Sequence, residues 1–241
     1  MTSSIAMQSI DQLGGPASVL VRQKRDHVEL DRLLQAIDTA VGSQREELLN
    51  RLCRLVFPHA FAEESVLWSA IRAQVVDGEQ LTLRIEREHQ EINELFSELE
   101  RTTADSPRHY KLWAQISALL RQDVRDEEDE LLPKLQAAVP MNKLVSIGRA
   151  WGLVRRIAPT RPHPVVARRP PGNVAAALPL TIIDRGRDRL DQVTRRTSGR
   201  VAALGHKLSG ALARAAGAIE HVPPLTRGEH RSTNFPRTRG R

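Results

Sequence analysis

Cysteine is nearly absent: Cys53 stands alone in 241 residues, so no internal disulfide can staple the chain and thiolates cannot build a metal cage. Aromatic residues make up only 3%, and Leu, Ala, Ile and Val carry the apolar mass, a mixture that favours helices packed on helices. No stretch reaches the roughly 18 uncharged apolar residues of a membrane-spanning helix. Residues 1–10 lack the basic region and the continuous apolar region of a secretory signal. The expected compartment is therefore the cytoplasm. Alternating strand patterns are missing as well, and so are a nucleophile triad, a phosphate-cradling glycine loop and a dedicated substrate pocket. The sequence gives no ground for assigning an enzyme.

What is present is a hydrophobic content of 40%, enough to fill the core of one or two domains. The net charge of +7 hides a division, with −6 over residues 1–150 and +13 over residues 151–241. One molecule carries two electrostatic objects.

Helical periodicity runs through the first 140 residues. The spacing predicts a helix from about Ser18 to Val41, stopped by Gly42, and a second from a Ser43–Glu46 capping box to about Val75, kinked at Pro58. A third spans about Glu79 to Arg101. A fourth starts at Ser106-Pro107 and reaches about Ala137. The expected fold class is all-α: an antiparallel four-helix bundle over residues 15–140, followed by a basic, partly helical and partly disordered C-terminal extension. Within that extension, residues 141–157 read as a short helix carrying Trp151. Residues 158–178 read as an extended Pro/Arg-rich linker, with five prolines between Pro159 and Pro171. Residues 179–241 read as a basic amphipathic tail weakened by glycines at 186, 199, 205, 210 and 217, its last 18 or so residues disordered.

Polar groups lie on the apolar stripes. His27 sits between Leu20 and Leu34; His59 has Glu63 at i+4; His89 lies between Ile85 and Ile92 with Asn93 at i+4; Asp123 has Glu127 at i+4. Residues four apart share a helix face, so each pair points towards the bundle axis. An unpaired ionised carboxylate there costs several kcal/mol, on the order given by burial of a charge. A divalent cation shared by three imidazoles and several carboxylates removes that cost, and N/O donors without thiolate suit iron or manganese, with zinc as a further candidate. A lone buried histidine is more often a hydrogen-bonded core residue; the joint pattern, one histidine per helix and two carboxylates on the fourth, is what points to metal. The run Asp126–Glu130 alone would be a solvated acidic face, and only register singles out Glu127. His109, His163, His206, His221 and His230 read as bystanders, and Cys53 as a small core residue.

Asp26-His27, FPHAFAEESVLW with His59 and Glu63, REHQEINELF with His89, and DVRDEEDELLPKL with Glu127 together resemble the hemerythrin-like (HHE cation-binding) domain family over about residues 15–140. The resemblance implies a non-haem di-iron centre of up to two irons per chain in a four-helix bundle, with Glu63 and Glu127 bridging, His27 and His59 on one iron, and His89 on the other. It also implies a small ligand such as O2, hydrogen peroxide or nitric oxide, in a sensing, scavenging or redox role. The sequence departs from the pattern at Asp123, where many members have histidine, and at Asn93, where oxygen carriers have another ligand; the second metal position is expected to be the weaker. The metal-ligand candidates are thus His27, His59, Glu63, His89, Asp123 and Glu127. A different reading makes the bundle degenerate and the basic tail the working part, associating with an anionic membrane, nucleic acid or an acidic protein.

Overall fold

The computed structural model describes residues 3–234, and the periodic segments become four rods. The first is α1 (Val19–Thr39), opened by Ser18, whose Oγ accepts the Leu20 N–H at 3.3 Å. The second is α2 (Gly42–Ala62), which continues through a π-helical turn (Glu63–Leu67) into α3 (Trp68–Gln74). The third is α4 (Gly78–Leu99). The fourth is α5 (Pro107–Asp126), a second π-helical turn (Glu127–Leu131) and α6 (Leu132–Ala138). Two of the four expected helices are therefore each divided by a π turn. The Ser43–Glu46 capping box is not made: α2 starts ahead of Ser43, at Gly42 with φ +55°, after Val41 as a cap without a side-chain bond. Pro58 stays inside α2, and the departure from α geometry comes later, at Glu63.

Two apolar cores fill the bundle. Leu30, Leu34, Ile37, Leu52, Phe96 and Ile116 build one, and Leu20, Leu67, Trp68, Ile71, Ile85 and Leu131 build the other. Each such side chain contributes about 1.5–3 kcal/mol by leaving water. Between the two cores lies a polar layer containing His27, His59, Glu63, His89, Asp123 and Glu127, all buried. α7 (Met141–Arg156) lies against α1 and α2. Gly148 permits this contact, because a Cβ there would run into the Ala17 carbonyl oxygen.

The segment expected as a free Pro/Arg-rich linker is packed. Residues 157–171 hold no helix, yet Thr160, Arg161, His163, Val166 and Arg168 are buried, with Val166 packed on the helices that follow. This strap leads into α8 (Gly172–Thr194), which begins six residues before the expected end of the linker, and then α9 (Gly199–Glu220). The two helices form a hairpin, the break falling at residues 195–198. Distant charge pairs, not local periodicity, hold the strap. The His163 ring meets Asp184 Oδ2 at 3.0 Å and Glu220 Oε1 at 2.9 Å, and its backbone N–H donates to Asn93 Oδ1 at 3.0 Å. Burial works against a charged imidazole there, but Asp184 and Glu220 prevail and raise its pKa to about 9. Arg161 pairs with Glu100, Asp188 and Asp191, and Arg169 forks onto the fully buried Glu86, where Arg72 also arrives. His163 is thus a buried clamp and not a bystander. The expected disorder of the last residues is corrected in part: the Ala167 N–H donates to the Leu225 carbonyl at 3.0 Å and Gly172 to Arg227 at 3.1 Å, with Leu225 and Thr233 buried. Residues 235–241, also covered by that expectation, lie outside the described residues.

Candidate metal centre

Each rod delivers its part of the polar layer from mid-helix. α1 brings His27, α2 brings His59, α4 brings His89 and α5 brings Asp123, while the two π turns open on Glu63 and Glu127. In an α-helix neighbouring residues point about 100° apart, so two consecutive glutamates cannot both face one axis. The extra residue in a π turn relaxes that limit. Glu63 and Glu64, and likewise Glu127 and Glu128, both turn into the layer, and Glu63, Glu64 and Glu127 are essentially without solvent exposure.

The three imidazoles share one orientation. His27 Nδ1 meets Glu128 Oε1 at 2.9 Å, His59 Nδ1 meets Asp26 Oδ2 at 3.0 Å, and His89 Nδ1 meets Glu64 Oε1 at 3.0 Å. An N–H at each Nδ1 leaves Nε2 as a lone-pair donor directed inward. There His59 Nε2 lies 3.0 Å from Glu63 Oε1, His27 Nε2 lies 3.2 Å from Glu127 Oε2, and His89 Nε2 lies 3.5 Å from Asp123 Oδ1 and 3.7 Å from Glu63 Oε2. These approaches are close but do not have hydrogen-bond geometry. Both oxygens of Glu63, both of Glu127 and Oδ1 of Asp123 are buried without a hydrogen-bond partner.

Donor atoms fall into two groups. One atom each from His27, His59, Glu63 and Glu127 lies within 4.8 Å of the others, and so do atoms from His89, Asp123 and Glu127. The structure therefore brings together all six residues expected from the sequence, with Glu127 common to both groups. Asn93 stands outside both groups: its Nδ2 donates to the His89 carbonyl at 3.0 Å and its Oδ1 accepts from the His163 N–H.

Burial opposes a charged imidazole at all three histidines, yet Glu127 and Glu128 lift His27 to about 10, Glu63 and Asp26 lift His59 to about 9, and Asp123 and Glu64 lift His89 well above its ordinary value. Burial, reinforced by Glu63 and Asp123, pushes Glu127 up to about 8. Burial likewise raises Glu64, against the pull of Arg168 and His89. The layer draws in protons because it is a concentration of negative charge needing cations.

Three residues were missed by sequence reasoning: Asp26, Glu64 and Glu128, the carboxylates that hold each Nδ1. A signal for two of them exists. His59-x-x-x-Glu63-Glu64-x-x-Leu67 recurs as Asp123-x-x-x-Glu127-Glu128-x-x-Leu131, and each doubled glutamate opens a π turn. The repeat also exposes the site's asymmetry, since Asp123 stands where the other half has His59. Beside it Glu88 is raised to about 7, by burial first and then by Asp123 and Asp126.

Four helical rods directing imidazoles and carboxylates to a shared buried layer define a carboxylate–histidine bundle. Residues 19–135 match the family model described as the Hemerythrin HHE cation binding domain. No curated protein and no solved structure matches the chain.

Proposed function

We propose that this bundle holds iron, two ions per chain, and uses them to meet a small ligand of the class of O2, peroxide or nitric oxide. The observation that carries the reading is the set of buried carboxylate oxygens on Glu63, Glu127 and Asp123, which stand 3.0–3.5 Å from imidazole nitrogens without hydrogen-bond geometry. In this reading His27, His59, Glu63 and Glu127 hold one ion, His89, Asp123 and Glu127 hold the other, and Glu63 leans towards both. The donors are imidazole and carboxylate only, which suits iron or manganese above softer metals.

Iron, when bound, supplies a Lewis-acidic and redox-active centre. The chain supplies what surrounds it. A cavity of about 20 Å³, walled by Leu30, Leu55, Val56, Phe57, Ile92 and Leu120 beside the three histidines and Asp123, gives access to that layer. About 10–15 Å³ is needed for one water, so the cavity admits a diatomic molecule or a peroxide and excludes larger substrates. Trp68, stacked on His89 with ring centres 6.2 Å apart, and Trp151, edge-on to His59 at 5.5 Å, hold two of the imidazoles in place. No helix among the described residues is long and apolar enough to cross a membrane.

The test is anaerobic reconstitution with Fe(II), metal analysis per chain, and optical spectra before and after nitric oxide or peroxide. Two irons and a ligand-dependent spectrum are expected. Failure to retain iron, manganese or zinc would overturn the reading. The Nδ1 carboxylates give a sharper prediction. Glu64→Gln should weaken the metal position at His89, and Glu128→Gln the one at His27, each by about 10–100-fold, the usual effect of disturbing the group that orients a ligand. Stepwise Fe(II) titration against a chelating indicator reads the two steps separately. Equal loss at both positions in either variant would contradict the assignment of the donor groups.

A further inference from the structure

On the outer face of α1, α2, α7 and α8 lies a groove of about 490 Å³, far from the bundle axis in character. Its walls carry six arginines: Arg22, Arg54, Arg155, Arg156, Arg185 and Arg189. Among the described residues, Arg155 alone of the six meets a carboxylate, Asp26 Oδ2 at 2.8 Å. Arg22 reaches the Ala17 carbonyl and Arg185 the Arg156 carbonyl, while no hydrogen bond or ion pair of the Arg54, Arg156 or Arg189 side chains occurs among the described residues. One acid lines the groove, Asp188, and it is already occupied: Arg161 takes Oδ1 at 2.9 Å and the Thr160 hydroxyl donates to Oδ2 at 2.9 Å.

This lack of counter-charge follows from how the C-terminal part is built. All five of its acids, Asp184, Asp188, Asp191, Glu220 and Glu229, are engaged by strap residues 160–168. Its other arginines find no free acid within that part, and four of them, Arg155, Arg156, Arg185 and Arg189, converge on one concavity with Arg22 and Arg54 of the bundle. Two buried donors add to the wall: Arg155 Nε and the indole N–H of Trp151, itself 2% exposed, have no partner. Gly152 lies where a Cβ would stand 2.8 Å from Arg22 Nη1, so its missing side chain makes room for that guanidinium.

We propose that this groove binds a small ligand carrying a cluster of phosphate groups, either free in solution or as a lipid headgroup. Guanidinium forks match phosphate oxygens in pairs, and several around one concavity select for several phosphates in one molecule. The volume falls in the range of small-molecule pockets, about 300–1,000 Å³. A concave wall of four elements receives a compact polyanion better than it receives the convex surface of a duplex. Apart from Trp151 the wall offers no aromatic face for stacking bases.

The test uses the full chain and calorimetric titration with inorganic triphosphate, orthophosphate and sulfate, beside sedimentation with phosphatidylcholine vesicles with and without phosphatidylinositol bisphosphate. Triphosphate is expected to bind at least about tenfold tighter than the two single anions. Arg54→Gln/Arg189→Gln removes two exposed groove arginines that make no hydrogen bond, and should weaken triphosphate by about tenfold or more. Arg200→Gln/Arg214→Gln removes the same charge from exposed positions on α9 and should change it less than about twofold. Vesicle binding that triphosphate displaces and the groove variant abolishes would place the phosphates on a lipid. Triphosphate binding without vesicle binding would place them on a soluble ligand. No triphosphate binding, or equal loss in both double variants, would overturn the proposal, the second result showing only the diffuse charge of the C-terminal part.

Discussion

Glu127→Gln should abolish the stabilisation of this protein by Fe(II) while leaving the metal-free protein as stable as before, to within about 1 kcal/mol. The two halves of this expectation have different causes. Without a cation, burial and the neighbouring Glu63 and Asp123 push the Glu127 carboxyl up to about 8, so it takes up a proton far more readily than an ordinary glutamate. Glutamine copies the protonated group in size and keeps an oxygen for His27. With a cation, the ionised carboxylate is needed, and it belongs to both donor groups. Wild-type protein with free metal a hundredfold above its dissociation constant gains about 2.7 kcal/mol. For a chain of this size that corresponds to a rise in melting temperature of about 5–10 °C. Anaerobic scanning calorimetry with and without Fe(II) measures both quantities. A variant that still gains several degrees would show that Glu127 holds no metal; one that is strongly destabilised without metal would show that its carboxylate already has a compensating charge.

His163→Ala is expected to cost about 3–5 kcal/mol, the range for removing one partner of a buried ion pair. It leaves Asp184 and Glu220 buried opposite an empty space. The pH dependence is the more specific sign. The folded pKa is raised from 6.5 to about 9, so the contribution of His163 is fully present below pH 6.5 and is lost as pH rises through 9. At 1.36 kcal/mol per unit the loss is on the order of 3 kcal/mol. Asp184 moves the other way: burial resists, but His163 holds it below its ordinary value, and its contribution disappears only in acid. Urea unfolding at pH 6, 7.5 and 9 should show wild-type stability falling across this window and the His163→Ala difference shrinking to match. A difference that stays constant with pH would mean that His163 is held by packing alone.

The four rods and the inward residues were legible because they are local. Apolar side chains at helical spacing mark a face, and His59 with Glu63, or Asp123 with Glu127, declare a shared direction through i,i+4 spacing alone. The carboxylates that orient the imidazoles were not legible, since Glu64 and Glu128 point inward only where the helix widens into a π turn. Within the run Asp126–Glu130 nothing separates an inward acid from a solvated one until that turn is known. The strap was misread for another reason. Prolines and arginines do describe a segment without helix, but what buries it is Asp184, Asp188, Asp191 and Glu220, as much as 57 residues further along. A net charge of +13 over residues 151–241 sums over these pairs and conceals them. The Ser43–Glu46 box failed because Gly42, able to adopt φ +55°, starts the helix early.

The strap also gives the centre a history. A ribosome completes residues 19–135 before any of the α8–α9 hairpin exists, and the last contacts with the strap come from Leu225 and Glu229, beyond the hairpin. At about 5–20 residues per second, the bundle spends roughly 5–20 s of its synthesis without Arg168 beside Glu64 and without His163 on Asn93. During that interval the polar layer has its full set of donors and one fewer cation nearby. Until the C-terminal part docks, Glu64 lacks the positive charge that Arg168 brings to it, and the polar layer is more negative than in the finished fold.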